Sequence, residues 1–416
     1  MQIALSSRAR RLLFGCCVLL AIAEFVYLSS RAARANAWAA GVQKGQIERA
    51  VALEPRNSDY WYRLGRWHRL IDQDNVSALN AYHAAVRQNP HIADYYLEIA
   101  RVALFANDRT QLNGALEDAL RVDPTTPSVN WEAANMYLAA NEADRALPLF
   151  KTASASSWEY RSMAVSLCWQ ATRDVDQMVA VALPPDAEIY NNFLSYLIYR
   201  RQTAAADKLW PHLIAMHQAP AGKASFVYID SLLQQHRVAD AVRAWRDLAT
   251  MSPEISSYLP QDGNLVVNPG FEQKILNDGF DWRITQSDKI TAEATTESFY
   301  KGTHSLAVSF AASTTGNAGI LQLVPVEPGA SYSLSLAYKA EELEGAHGIS
   351  VVVSDASTGR PLTATDEILG SNSWREISRS FHAGPSTALV SLELKRPPGT
   401  LIQGKIFIDD VRVVKQ

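Results

Sequence analysis

Over residues 59–124, apolar and small residues recur at three- and four-residue intervals in two successive blocks. In the first, Trp61, Leu64 and Gly65 are followed by Ala78, Tyr82, Ala85 and Pro90; in the second, Tyr96, Ile99 and Ala100 are followed by Leu112, Leu116, Ala119 and Pro124. Each block reads as two amphipathic helices closed by a proline. Pro124 lies 34 residues after Pro90, and Pro90 lies 35 after Pro55. Such a period is expected of stacked helical hairpins, where small residues let helices approach and large ones fill the gaps. The spacing continues more weakly through Ala133, Ala134 and Tyr137 with Ala146, Phe150 and Ala153. A shorter hairpin over 158–183 stops at Pro184-Pro185, and Phe193, Leu194 and Leu197 are answered by Ala206, Trp210 and Leu213. A last pair over 226–251 carries Ala241, Trp245 and Leu248 before Pro253. Ahead of the array, residues 38–53 read as half a hairpin with its first helix missing.

After residues 258–263 the period changes from 3.6 to 2. Tyr332, Leu334, Leu336 and Tyr338 alternate with small or polar residues, as do Leu306, Val308 and Phe310, and Ala388, Val390, Leu392 and Leu394. Turn signals at Pro269-Gly270, Pro328-Gly329, Thr358-Gly359 and Pro398-Gly399 separate roughly eight or nine short strands, the pattern of an antiparallel β-sandwich. The fold class is multidomain α plus β: an N-terminal α-solenoid followed by a β-sandwich. The expected divisions are an N-terminal segment at 1–36, helical hairpins over 37–256, a linker at 257–263 and the sandwich over 264–416.

The Trp-Leu-Gly and Ala-aromatic-Ala-Pro positions of the first two blocks resemble the tetratricopeptide repeat family. That resemblance implies a groove lined by first helices, with Tyr62 and Arg66, Leu97 and Arg101, and Trp131 and Asn135 at the groove-facing positions, and Arg69 one turn beyond Arg66. In-line arginines beside aromatic rings would suit a carboxylate or an acidic peptide. The competing reading is a solvated charged face with the aromatics packed between repeats.

The string NLVVNPGFE (residues 264–272), Trp282, KGTHSLAV (301–308), VPVEPGASYSLSLAYKA (324–340), Trp374-Arg375 and IFIDDVRV (406–413) resemble the galactose-binding-like jelly rolls of carbohydrate-binding modules. Many members hold a structural calcium. The resemblance makes Glu272 and Asp409 its candidate ligands, with Asp410 as substitute and backbone carbonyls near Gly302 and Thr303 completing the shell. The same two carboxylates could serve without metal as hydrogen-bonded markers of the fold. Sugar binding would need exposed rings, and the candidates are Trp282, Tyr300, Tyr338 and Trp374. Trp374 matches a family core position and Tyr338 lies on the apolar face of its strand, which leaves Trp282 and Tyr300.

Composition adds limits. With 48% hydrophobic and 20% charged residues, the 416-residue chain is that of a folded protein with more than one core. A net charge of −4 gives no reason to expect nucleic acid. Arg8, Arg10 and Arg11 precede an apolar run over 12–28, read first as an uncleaved membrane anchor, with a cleavable signal as the competing reading. In both, the bulk of the chain is exported. Cys16 and Cys17 fall in that run, so Cys168 is left without a disulfide partner and reads as a buried small hydrophobe. The frame Gly399-x-x-x-x-Gly404-Lys405 copies a phosphate-binding loop but lacks the following Ser or Thr, and a strand rather than a helix follows. Glu341-Glu342 reads as loop surface. The sequence points to a non-enzymatic anchored scaffold, with a protein partner on the helices and a glycan or second protein on the sandwich, in envelope or exopolysaccharide assembly. Two alternatives remain open: a glycan-active enzyme with an accessory binding module, and a sandwich that only caps the helices.

Overall fold

The computed structural model describes residues 7–218, 223–251 and 253–416. Two compact units divide it, residues 1–184 and 185–416.

The first unit is helical. It contains α1 (Arg8–Ala39), α2 (Lys44–Leu53), α3 (Ser58–Trp67), α4 (Asn75–Gln88), α5 (Ala93–Phe105), α6 (Arg109–Val122), α7 (Pro127–Ala139), α8 (Ala143–Ser156), α9 (Trp158–Thr172) and the single turn α10 (Val175–Gln177). Successive helices pair as α3 with α4, α5 with α6 and α7 with α8. The second helices of the first two pairs start on aspartate caps: Asp74 accepts from the Ser77 N–H and Asp108 from the Gln111 N–H, both at 3.0 Å. Between the helices of each pair one residue takes a left-handed backbone, Gln73 (φ 56°), Asn107 (56°) and Asn141 (61°), which lets the chain reverse in a short turn. Large-into-small packing is visible at Gly65, where a Cβ would lie 2.5 Å from the Tyr82 ring.

The opening half-hairpin is complete after all. The last turns of α1 supply its first helix: Ala35 and Ala39 are buried against Ile47, Ala50, Val51, Tyr60 and Leu64. Upstream, the same helix leaves Leu12, Leu13, Leu19, Leu20 and Phe25 about 70% exposed, and it is long and apolar enough to cross a membrane. Cys168 is fully buried, and burial pushes its thiol up to about 12.

The second unit begins with α11 (Ala187–Tyr199), α12 (Thr203–Ile214), α13 (Ala224–Gln234), α14 (Val238–Met251) and α15 (Pro253–Ser256). Ten strands follow: β1 (Arg283–Ile284), β2 (Ile290–Thr295), β3 (Ser305–Ser313), β4 (Asn317–Pro325), β5 (Ser331–Gly345), β6 (Ser350–Asp355), β7 (Pro361–Ala364), β8 (Gly370–His382), β9 (Leu389–Lys395) and β10 (Ile402–Lys415). They form two antiparallel sheets, ordered β1-β4-β9-β6-β7 and β2-β3-β10-β5-β8. The predicted alternation packs between them: Leu306, Val308, Phe310, Tyr332, Leu334, Leu336, Val390 and Leu392 are all core. Glu341 and Glu342 are not loop surface; they lie within β5, where its pairing with β8 shifts register. Lys405 lies in a strand, as its sequence context required.

Residues 264–272 are stitched to the sandwich by side chains. Asn264 accepts from the N–H groups of Val266 and Val413 and donates to the Val411 carbonyl. Gln322, fully buried, accepts from the Val267 N–H at 3.2 Å and donates to the Val267 carbonyl at 2.8 Å, acting as a peptide group.

The helices and sandwich of this unit meet around Trp245. Its ring packs edge-on against Phe280 (5.8 Å, 86°), and its indole N–H donates to the Tyr258 carbonyl. Gly279, at φ 60°, lies so close that a Cβ would sit 2.2 Å from that ring. Nearby Arg283 of β1 donates to Asp230 of α13 at 2.5 Å and to the Gly279 carbonyl at 2.8 Å. Tyr258, within the expected linker, is buried and donates its hydroxyl to the Lys274 carbonyl.

Replacing Gln322 by leucine would leave the Val267 N–H and carbonyl buried and unpaired, a cost of about 1–3 kcal/mol for each group. Chemical denaturation followed by tryptophan fluorescence should show a lower midpoint for Gln322→Leu; an unchanged midpoint would mean the pairing contributes nothing.

Candidate binding sites on the helices and the sandwich

Two of the three arginines expected to await a ligand, Arg69 and Arg101, are already engaged. Glu98 of α5, 7% exposed, lies between Arg69 (2.8 Å) and Arg101 (3.7 Å), and Arg101 also reaches Glu132 of α7 at 2.5 Å. The Tyr82 hydroxyl donates to Glu98, and burial, then the Glu98 charge, push its pKa up. Arg69 and Arg101 are therefore staples between successive repeats, not free carboxylate receptors. Leu97 is 3% exposed and points inward. Trp131 stacks on Tyr160 at 4.6 Å and 13° and meets Phe150 edge-on, while Asn135 donates back to the Trp131 carbonyl. Tyr62 packs against Tyr95 at 5.2 Å, with the exposed Arg66 guanidinium 5.8 Å from its ring. Among the groove candidates, the packing reading holds for Leu97, Trp131 and Asn135, and Arg66 is the arginine that keeps no carboxylate partner among the described residues. The missing partners were present in the sequence as Arg69/Glu98 and Arg101/Glu132, spaced 29 and 31 residues apart. That is the separation at which adjacent repeats present their first helices to one another.

In the sandwich, three carboxylates surround the loop 296–304. The two oxygens of Asp409, a fully buried residue, accept from the N–H groups of Tyr300 (2.7 Å), Lys301 (2.9 Å) and Asp410 (2.6 Å). Burial raises its pKa despite these bonds. Glu272 accepts from the Thr303 N–H (2.7 Å), the Thr303 hydroxyl (2.7 Å) and the His304 N–H (3.0 Å), with His304 Nδ1 at 3.1 Å. Partial burial pushes Glu272 upward, but the bonds from Thr303 and His304 outweigh it and hold the carboxyl at about 2. Asp410 pairs with Lys301 and Arg412. Calcium needs oxygen donors converging on one point. Here each carboxylate faces N–H, hydroxyl or cationic donors, and no group of three or more His, Cys, Asp or Glu side chains among the described residues could hold a metal. As placed, these carboxylates form a clamp that fastens the loop directly to β10 and the 264–272 segment.

Of the aromatic candidates, Trp282 is 2% exposed, donates its indole N–H to the Asn268 carbonyl and packs on Phe271 at 5.1 Å. It cannot be a sugar platform, because the turn before β1 aims it into the core. Tyr338 is half-buried against the same core. Tyr300 is 37% exposed and donates its hydroxyl to Glu376 at 2.8 Å. Trp374, expected in the core, is instead half-buried beside Tyr300, with ring centroids 5.8 Å apart. In β8 the core-facing residues are Ile377 and Phe381, so Trp374 and Glu376 share the opposite, outer face. The clamp thus sets Tyr300 against Trp374 on the outside of the β2-β3-β10-β5-β8 sheet. Sequence alternation gave the parity of Trp374, but only the β5–β8 register and the bound loop show that this face is lined by aromatic rings.

Residues 263–400 match the model of a protein family described as a carbohydrate binding domain. No curated protein matches the chain. Among solved structures, one titled "CBM4 structure and function" is 18% identical over 36% of this chain and 99% of its own, with TM-score 0.29. The CBM22-1–GH10 modules of Clostridium thermocellum endo-1,4-β-D-xylanase 10B, complexed with xylohexaose, are 17% identical over 36% of this chain and 28% of that one, with TM-score 0.27. YrrB, a TPR protein with an unusual peptide-binding site, is 11% identical over 50% of this chain and 92% of its own, with TM-score 0.25.

Three tests follow from these sites. Glu98→Ala removes the acceptor shared by Arg69, Arg101 and Tyr82. The loss should be about 2 kcal/mol, less than the roughly 3–5 for breaking a fully buried pair, because Arg101 is a third exposed and keeps Glu132. Urea denaturation measures it. For the clamp, excess calcium or chelator should leave the melting temperature of the sandwich unchanged. Because the folded carboxyl of Glu272 lies below its ordinary 4.5, its contribution is present above that value and fades as pH falls toward about 2. In a Glu272→Gln variant that acid-side loss should be smaller than in the parent protein.

Proposed function

We propose that this chain is a non-enzymatic, membrane-anchored scaffold whose sandwich binds a glycan and whose helical repeats bind a protein partner, serving envelope or exopolysaccharide assembly. The observation that carries the glycan reading is the Tyr300–Trp374 pair on the outer face of a region matching a carbohydrate binding domain. Two rings tilted by 44° offer apolar faces to a pyranose, and Glu376 beside them can accept from its hydroxyls. The anchor reading is supported by α1, whose apolar stretch runs without a break into the first hairpin. Three arginines before the run against two after it, Arg31 and Arg34, support an orientation with the bulk exported.

A second reading, a sandwich serving only as a cap for the helices, is favoured by the packing of Trp245 against Phe280 and Gly279. Capping itself and glycan binding would use different surfaces of the sandwich, so the two readings part over whether the outer face binds a glycan.

The full chain in detergent micelles should be retarded in native gels containing the polysaccharide it recognises, tested over a panel of neutral and acidic envelope glycans. Trp374→Ala should remove the retardation without lowering the melting temperature by more than a few degrees. Retention unchanged by Trp374→Ala would refute this face as the site, and glycan cleavage by the pure protein would favour the enzyme alternative.

A further inference from the structure

We infer that the site at Trp374 extends across the sheet into a bed for an uncharged, hydroxyl-rich saccharide segment, built on Lys339, Glu341, Asn372 and Lys405. This rests on the glycan reading above and adds to it the direction of the chain and the class of sugar.

Beside Trp374 the outer face of β5, β8 and β10 holds a cavity of about 710 Å3, lined by those four residues together with Glu342 and Ser371. Its position follows from register. Arg375 lies opposite Tyr338 and Asn372 opposite Ala340, with a register shift between the two pairs, so Ser373 and Trp374 both fall level with Lys339. Lys339 in turn lies opposite Phe407, and Lys405 opposite Glu341. Strands about 4.8 Å apart place the bed over roughly 10 Å from β8 to β10. The volume falls within the range of small-molecule clefts, about 300–1,000 Å3, which suits several linked rings better than one.

The polar groups of the bed are held before any ligand arrives. Phe407 is fully buried although it faces away from the core, because two lysines cover it: the ammonium groups of Lys339 and Lys405 lie 5.4 and 4.7 Å from its ring. Lys339 is also fixed by Glu341 at 2.7 Å and by the Ser298 hydroxyl at 3.4 Å, and Lys405 by Glu297. Fixed ammonium donors alternating with carboxylate acceptors and the Asn372 amide match sugar hydroxyls, which donate and accept at once. Holding them in place lowers the ordering cost of binding.

Charge decides the class. Two ammonium groups in the lining face two carboxylates, and the partner of Lys405 is a third. A uronate or phosphate chain would meet Glu297, Glu341 and Glu342, and a polyamine would meet both lysines. An uncharged saccharide meets neither penalty.

The test is isothermal titration of the full chain with xylohexaose, laminarihexaose and a galacturonate hexamer. At least one neutral hexamer should bind at least tenfold more tightly than the galacturonate. Glu341→Gln, isosteric, and Lys339→Met, which keeps the stem over Phe407, should each weaken it at least fivefold with the melting temperature retained; if Lys339→Met is unstable, Glu341→Gln alone decides. Binding lost in Trp374→Ala but unchanged in Glu341→Gln and a stable Lys339→Met would overturn the bed and leave the glycan reading standing. Equal or tighter binding of the galacturonate would overturn the class. No binding of any hexamer would overturn the bed for these sugars, while retardation by a polysaccharide in the gel would still support the Trp374 site.

Discussion

Trp245 stands at the second-helix position where a helical repeat offers a large side chain to its successor. Among the described residues no further helical hairpin follows it. Its ring is instead received by Phe280 and Gly279 of the segment leading into the sandwich, and only a glycine in a left-handed conformation leaves room for it. Stacked repeats are stable because each covers the apolar face of its neighbour, and the last one needs a cap. Here the cap is an entire β-domain. Asp230–Arg283 and the buried Tyr258 extend the same contact, so α13, α14 and the sandwich belong to one compact unit.

At the start of the first unit, the opening hairpin is completed by a different element. The last turns of α1 supply the missing first helix of the opening hairpin, so Ala35 and Ala39 do the work of a repeat while the preceding turns carry the apolar run. Within the first unit, charge as well as packing joins neighbours: Arg69, Glu98, Arg101 and Glu132 form a ladder whose members satisfy one another. With Arg69 and Arg101 already paired, the first helices offer a partner less net charge than their sequence suggests.

Carboxylates in the sandwich behave in the same manner. Glu272 and Asp409 sit where the resemblance implied metal ligands, yet they accept N–H groups from the loop they would have shared with an ion. Direct hydrogen bonds to a carboxylate can fasten a loop without the desolvation of a dication, and they leave the loop's aromatic residue, Tyr300, facing outward. The clamp and the candidate glycan site are thus one piece of architecture.

The helical hairpins, their closing prolines, the switch to alternation near residue 260 and the sandwich are legible in the sequence alone, because each of these follows from periodicities of 3.6 or 2 within a short window. It also named Glu272, Asp409 and Tyr300 as residues of consequence. What they touch is visible only in the folded chain. Asp409 meets Tyr300 across 109 residues and Glu98 meets Arg69 across 29. Trp282 and Trp374 exchanged their expected places because one follows a turn into the core and the other faces out from β8 beside a clamped loop. Local pattern fixes which side of an element a residue occupies; which element lies against that side is set by register and packing between distant segments, and no window of sequence contains it.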